Sequence, residues 1–309
     1  MKNIYLTIIL FTVSFYTYAQ TAEEYYANGS LKMELENYEE SIEDFTKSIA
    51  LNPHNPEAYY LRAFSKRQLG DYKGFIEDHS KVIELDPENL ASYYYRGLGN
   101  YNLGYYKDAI ADYTTVIQMD SAYVDAYLER GVVKVEFEDY IGAIEDYTKA
   151  IDLNPEYIDA YFNRGLVKGK LKDLSNAIKD FTKVIELTSG YAEAYFNRGL
   201  ANYEFSKYSK AIDDFTKAIE INPEDGDSFF GRGLVKAEIY DYDEAIDDYT
   251  AAILLNPEDD RFYYYRGLSK FEIDDNETGC IDFKKASELG NEFANDAIMN
   301  YCILNNNQD

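Results

Sequence analysis

The side chains in this sequence that could do chemistry are two histidines (His54 and His79), two cysteines (Cys280 and Cys302) and 57 carboxylates. Histidine titrates near neutrality and could act as a general base or a metal ligand. Neither histidine has a second His or a Cys at zinc-site spacing, so no ligand set forms around either. Asp274, Asn276, Thr278 and Gly279 follow part of a calcium-loop pattern, but the twelfth loop residue is Lys285 instead of a bidentate Glu. That stretch reads as a turn between helices. Paired carboxylates can hydrolyse glycosidic bonds. Here, however, the acids recur at a fixed interval along the chain, whereas an active site would interrupt a pattern once. The recurrent Arg-Gly pairs lie inside helical stretches and not between a strand and a helix, so they make no phosphate-binding loop. The residues therefore imply no enzyme, no cofactor and no metal.

Composition narrows the partners. Asp and Glu outnumber Lys and Arg by 57 to 30, a net charge of −27, which repels nucleic-acid phosphates and anionic lipid surfaces. Such a field keeps a large surface soluble and can also attract basic partners. With 46% hydrophobic residues, 33 Tyr and 17 Phe, the chain is too rich in core-forming side chains to be disordered. At the N-terminus, Lys2 precedes an apolar run from Ile4 to Tyr18, and Thr17-Tyr18-Ala19 offers small residues to a signal peptidase. Residues 1–19 read as a secretory signal peptide cleaved after Ala19, with an uncleaved anchor as the alternative. Export to the periplasm or the medium follows, with no membrane span after cleavage.

The elements that must position these side chains are set by a repeat. Pro53, Pro87, Pro155, Pro223 and Pro257 are spaced by 34 residues or twice that. Ile158 to Tyr191, IDAYFNRGLVKGKLKDLSNAIKDFTKVIELTSGY, is followed by Ala192 to Asp225, AEAYFNRGLANYEFSKYSKAIDDFTKAIEINPED. Eight such repeats occupy 22–55, 56–89, 90–123, 124–157, 158–191, 192–225, 226–259 and 260–293. Each reads as two helices. In the first, an aromatic at place 4 and a small residue at place 8 are one turn apart, and the small residue admits a second helix closely. The second often starts after Asn or Asp at place 16 (Asn37, Asp71, Asp139, Asp173, Asp241, Asp275), with Asn37–Glu40 and Asp241–Glu244 spaced as capping boxes. It ends before the Asn-Pro or Asp-Pro step. One hairpin cannot bury its apolar face alone, so stacking into an all-α solenoid is expected. Residues 294–304 read as a C-terminal capping helix and 305–309 as a tail.

These repeats resemble tetratricopeptide repeats, which share the 34-residue period, the aromatics at places 4 and 24, the small residues at places 8, 20 and 27, and proline at place 32. The sequence departs at place 7, where Arg replaces the usual large apolar residue. The resemblance implies a right-handed superhelix whose first helices line a concave groove, a peptide or protein partner, and no chemistry. The Lys and Asn set by which some members clamp a C-terminal carboxylate is absent. In the family, place 5 points into the groove together with places 2, 9, 12 and 13. Here place 5 is Tyr60, Tyr94, Leu128, Phe162, Phe196, Phe230 and Tyr264, with Glu204 and Glu238 at place 13 beside it. That row reads either as packing between neighbouring first helices or as a stripe that grips a ligand.

The family geometry also places two further rows at the joints between repeats. Arg62, Arg96, Arg130, Arg164, Arg198, Arg232 and Arg266 hold place 7. Asp44, Asp78, Asp112, Asp146, Asp180, Asp214, Asp248 and Asp282 hold place 23. The expectation is a structural ladder in which each Arg meets Asp of the repeat before it, Arg164 with Asp146 for example; a ligand-binding Arg row is the alternative. Cys280 holds place 21, Ile in the other seven repeats, and is expected to be buried. Export permits a Cys280–Cys302 disulfide without the spacing demanding one. Two functions compete: a module that binds a peptide or partner protein, and a scaffold that assembles with itself or an envelope complex.

Overall fold

The structure is a computed structural model, and it describes residues 20–303. Residues 1–19, read above as a signal peptide, Leu304 and residues 305–309 lie outside the described residues. No helix among the described residues is long and apolar enough to cross a membrane. The chain forms two compact units that divide after Ser121. The first holds three helical hairpins: α1 (Ala22–Glu34) with α2 (Tyr38–Leu51), α3 (Pro56–Gln68) with α4 (Tyr72–Leu85), and α5 (Leu90–Asn102) with α6 (Tyr106–Met119). The second holds five: α7 (Val124–Glu136) with α8 (Tyr140–Leu153), α9 (Ile158–Lys170) with α10 (Leu174–Leu187), α11 (Ala192–Glu204) with α12 (Tyr208–Ile221), α13 (Gly226–Glu238) with α14 (Tyr242–Leu255), and α15 (Asp260–Glu272) with α16 (Asn276–Leu289). Within each unit the second helix of one repeat packs on the first helix of the next.

The hairpin closes on one contact. The place-24 ring lies flat on the place-8 glycine: a Cβ on Gly131 would sit 2.6 Å from Cε1 of Tyr147, and Tyr147 is fully buried. Only glycine lets the helices come this close, which outweighs its poor helix propensity. Alanine stands at place 8 once, as Ala63, in the repeat whose place-24 ring is the smaller imidazole of His79. Alanine or serine at place 3 of the six middle repeats, Phe262 at place 3 of the last, and small or β-branched residues at place 27 complete a buried seam.

The helix starts differ from expectation. Asp71 and Asp139 do cap, accepting from the amides of Gly74 (2.9 Å) and Gly142 (3.0 Å). A Cβ at either glycine would lie 2.3 Å from the capping carboxylate. Where place 19 carries a side chain, as at Asn37, Asp173, Asp241 and Asp275, no side-chain cap forms. The two expected capping boxes are absent because Glu40 and Glu244 turn to Lys32 and Lys236. Thr21 and Glu24 form a capping box at the start of α1.

The turn inside every hairpin needs a left-handed residue at place 15, with φ from 57° to 77°. Gly70 and Gly104 take it freely, whereas Glu36, Glu138, Lys172, Ser206, Tyr240 and Asp274 hold a Cβ there. That conformation costs an L-residue about 1–2 kcal/mol. Glu138→Gly is expected to raise stability by about 0.5–1 kcal/mol after the extra unfolded-chain entropy of glycine. Urea unfolding checks this; a lower midpoint would contradict it.

The chain end is a correction. In place of one covering helix, Ala294–Ala297 makes a single α-helical turn, α17, and Ile298–Ile303 continues as π-helix.

Candidate binding face

The Arg and Asp rows meet, with different partners from those expected. Arg164 donates from Nε and Nη2 to Asp180 of its own repeat, at 2.9 and 2.7 Å. Asp146 is held by Arg130 at 2.6 Å. The same pairing within a repeat joins Arg62–Asp78, Arg96–Asp112, Arg198–Asp214, Arg232–Asp248 and Arg266–Asp282 at 2.6–2.7 Å. What crosses between repeats is the third guanidinium nitrogen: Arg164 Nη1 donates to Thr148 Oγ1 of the preceding repeat at 2.9 Å. Each Arg also lies over its place-4 ring, Arg164 at 5.6 Å from the centroid of Tyr161.

A further row at place 11 completes the ladder. Lys168 Nζ reaches Asp180 at 2.7 Å, and Lys66, Lys134, Lys236 and Lys270 do the same to their own aspartates at 2.8–2.9 Å. Asn100 and Asn202 substitute for Lys and donate to Asp112 and Asp214 at 3.0 and 2.9 Å. In the first repeat Asn28 stands where Arg would, and Asp44 is held by Lys32 at 2.8 Å. The signal in the sequence was Lys or Asn at place 11 in every repeat. Arg164 is only 14% exposed, so these cations belong to packed joints and not to an open surface.

The place-5 residues are not an open stripe. Leu128 and Phe230 are buried and the others half-buried. Each aromatic rests against the place-24 ring of its own repeat: Tyr60–His79, Tyr94–Tyr113, Phe162–Phe181, Phe196–Phe215, Phe230–Tyr249 and Tyr264–Phe283, with centroids 5.3–5.9 Å apart. These contacts are core packing. Place 9 carries a second apolar row on the same helices, and Leu31 at place 10 and Tyr265 at place 6 are exposed as well. In the first unit the place-9 residues include Phe64, 37% exposed, and half-buried Leu98. In the second they are Leu166, 38% exposed, and half-buried Val132, Leu200, Leu234 and Leu268, of which Leu200 and Leu234 also pack against the core. Glu204 pairs with Lys172 at 2.7 Å, and Glu238 accepts a long contact from the Tyr203 hydroxyl at 3.5 Å.

Cys280 and Cys302 are bonded, with Cα atoms 5.8 Å apart, so the π-helical end is tied to α16. Cys280 is half-buried instead of buried, like the isoleucines that hold place 21 in the other repeats.

Tetratricopeptide repeat family models match residues 26–89, 158–191, 192–225 and 230–274, and a TPR repeat model matches 134–172. No curated protein matches the chain. Among solved structures, MamA is 29% identical over 55% of this chain and 92% of its own, with a TM-score of 0.52. YrrB, described as a TPR protein with an unusual peptide-binding site, is 25% identical over 59% of this chain and 94% of its own, with a TM-score of 0.53. The C-terminal part of a TPR repeat-containing protein from Cytophaga hutchinsonii is 21% identical, covers 77% of this chain and 97% of its own, and at a TM-score of 0.68 shares the fold. Period, paired helices, glycine-to-ring contact and these matches agree, and the chain belongs to the tetratricopeptide repeat family.

Proposed function

We propose that this protein is an exported, non-enzymatic interaction module that takes an extended segment or helix of a basic partner protein on the face made by its first helices. One observation carries the reading. In the second unit the helices of the place-9 row, Leu166, Leu200, Leu234 and Leu268, carry mostly acids at place 13 (Glu136, Glu204, Glu238 and Glu272, with Lys170) and at place 2 (Asp125, Asp159, Glu193 and Asp227, with Arg261). The acids crowd one another: the Glu129 carboxyl is pushed above its ordinary range, first by burial and then by Asp125 and Asp159. A cationic segment with apolar anchors would relieve that repulsion and cover the leucines. The peptide-binding site described for YrrB supports peptide capture by repeats of this kind. Export rests on the N-terminal signal pattern, and the Cys280–Cys302 bond accords with an oxidising compartment, periplasm or medium. A self-assembling scaffold is the second reading, favoured by Ile141, Leu254 and Ile281, which are exposed on second helices.

The test is affinity capture from the native envelope with wild type and with Leu166→Ser/Leu200→Ser. Two anchors worth about 1 kcal/mol each predict roughly thirtyfold weaker capture. Undiminished capture by a folded variant would move the site elsewhere, and capture of further copies of this chain alone would favour the scaffold. Phe162, Phe196 and Phe230 are unsuitable probes, because their rings are core.

A further inference from the structure

A cleft opens on the second unit between α11, α13 and α15. Its space comes from one small residue: place 12 is Tyr203 and Phe271 in the flanking repeats and Ala237 between them. None of the residues lining it is a cation, while Glu238 and Glu272 stand exposed at its rim. Tyrosine rings from α11 and α15, Tyr203 and Tyr265, form its walls.

Two tyrosines of the lining bear on what it can take. Tyr249 is fully buried, yet its hydroxyl has no hydrogen-bond partner. Four other repeats place Phe at that position (Phe45, Phe181, Phe215 and Phe283), so the ring alone suffices for the hairpin. A buried hydroxyl without a partner is costly, and it is relieved by a ligand that supplies one. Tyr203, Tyr265 and Glu238 line the cleft with Tyr249. The second is Tyr240. It sits at φ 66°; five other side-chain-bearing residues hold place 15 at 57–63°, but it is the one aromatic among them and is 79% exposed at the cleft. A bulky side chain in that conformation is strained.

We propose that this cleft receives an arginine or lysine side chain of the partner, with the cation between Glu238 and Glu272, its stem along the tyrosine rings and one N–H donating to Tyr249 Oη. The proposal rests on the first-helix face being the binding face. Aromatic faces and carboxylates both attract a cation, and a recessed site strengthens that attraction. The hydroxyl at the floor adds a demand for a donor, which a trimethylammonium group cannot meet.

The experiment titrates the full chain with acetyl-Ala-Ala-X-Ala-Ala-amide, where X is arginine, lysine, citrulline or trimethyl-lysine. Arginine and lysine peptides are expected to bind, less tightly as salt rises, and citrulline at least tenfold more weakly. Glu238→Gln/Glu272→Gln is expected to weaken the arginine peptide tenfold or more, and Tyr249→Phe several-fold with no loss of melting temperature. Tyr240→Gly separates binding from folding: its unfolding midpoint should rise while its affinity falls. Equal affinity for citrulline and arginine, or undiminished binding by the double Gln variant, would overturn the proposal. So would a trimethyl-lysine peptide that binds as well as lysine. Native-partner capture lost with Leu166→Ser/Leu200→Ser but kept with the double Gln variant sinks the cleft alone; capture kept with both sinks the face as well.

Discussion

Replacing Asp180 with alanine is expected to cost about 3–5 kcal/mol, because it strands two cations at a packed joint. Asp180 is 4% exposed and accepts from both nitrogens of the Arg164 fork and from Lys168. Without it, Arg164 and Lys168 stay beneath the neighbouring helix with no counter-charge. Arg164→Met should cost less, since Lys168 still neutralises the carboxylate; what it loses is the two bonds to Asp180, the bond to Thr148 and the contact with Tyr161. In a repeat array the damage is local to a hairpin and its neighbours. Urea unfolding should therefore be joined by hydrogen exchange, with α9 and α10 losing protection first. A loss below about 1 kcal/mol, typical of an exposed pair, would mean that the ladder does not hold the joints.

Acid is expected to weaken the first unit through one residue, His79. Burial is the main cause that brings its imidazole from 6.5 to about 4, with Arg96 and Arg67 adding to it and Asp78 opposing. The unfolded chain therefore takes up the proton first. The stability that neutral His79 contributes is whole above pH 6.5 and drains as pH falls to about 4. The shift corresponds to about 3 kcal/mol at most. Carboxylates titrate over part of the same range, so the comparison needs a variant without the imidazole. His79→Phe alone should clash with Ala63, because phenyl rings at place 24 elsewhere face glycine. Ala63→Gly/His79→Phe restores the pairing used by the other repeats. Unfolding followed from pH 7 to 4 should show the wild type losing about 3 kcal/mol more than the double variant. Parallel losses would contradict a buried neutral His79.

The period, the hairpins and the identity of the ladder residues were legible in the sequence, since a 34-residue register repeats every chemical choice. The partner of each Arg was not. Arg164 is 16 residues from Asp180 and 18 from Asp146, so separation along the chain barely distinguishes the same repeat from the one before. The place-11 row was missed because Lys on a helix ordinarily reads as solvated surface, and only the packed joint reveals its aspartate. The caps at Asp71 and Asp139 depended on a glycine three residues on, a condition set by a 2.3 Å clash that residue type alone does not announce. Place 5 sits on the helix between core and outer face, which periodicity alone does not divide; the aromatics there reach the place-24 ring, and Leu128 is buried with no ring of its own. Place 9, one turn on, keeps the face.

The most direct test of that face is hydroxyl-radical footprinting of the full chain, free and with its captured partner. Binding on the first helices predicts protection at Leu166, Leu200, Tyr203 and Tyr265, with Ile141, Leu254 and Ile281 on the second helices reacting as in the free protein. Protection of those three second-helix residues, with the place-9 leucines unchanged, would contradict it.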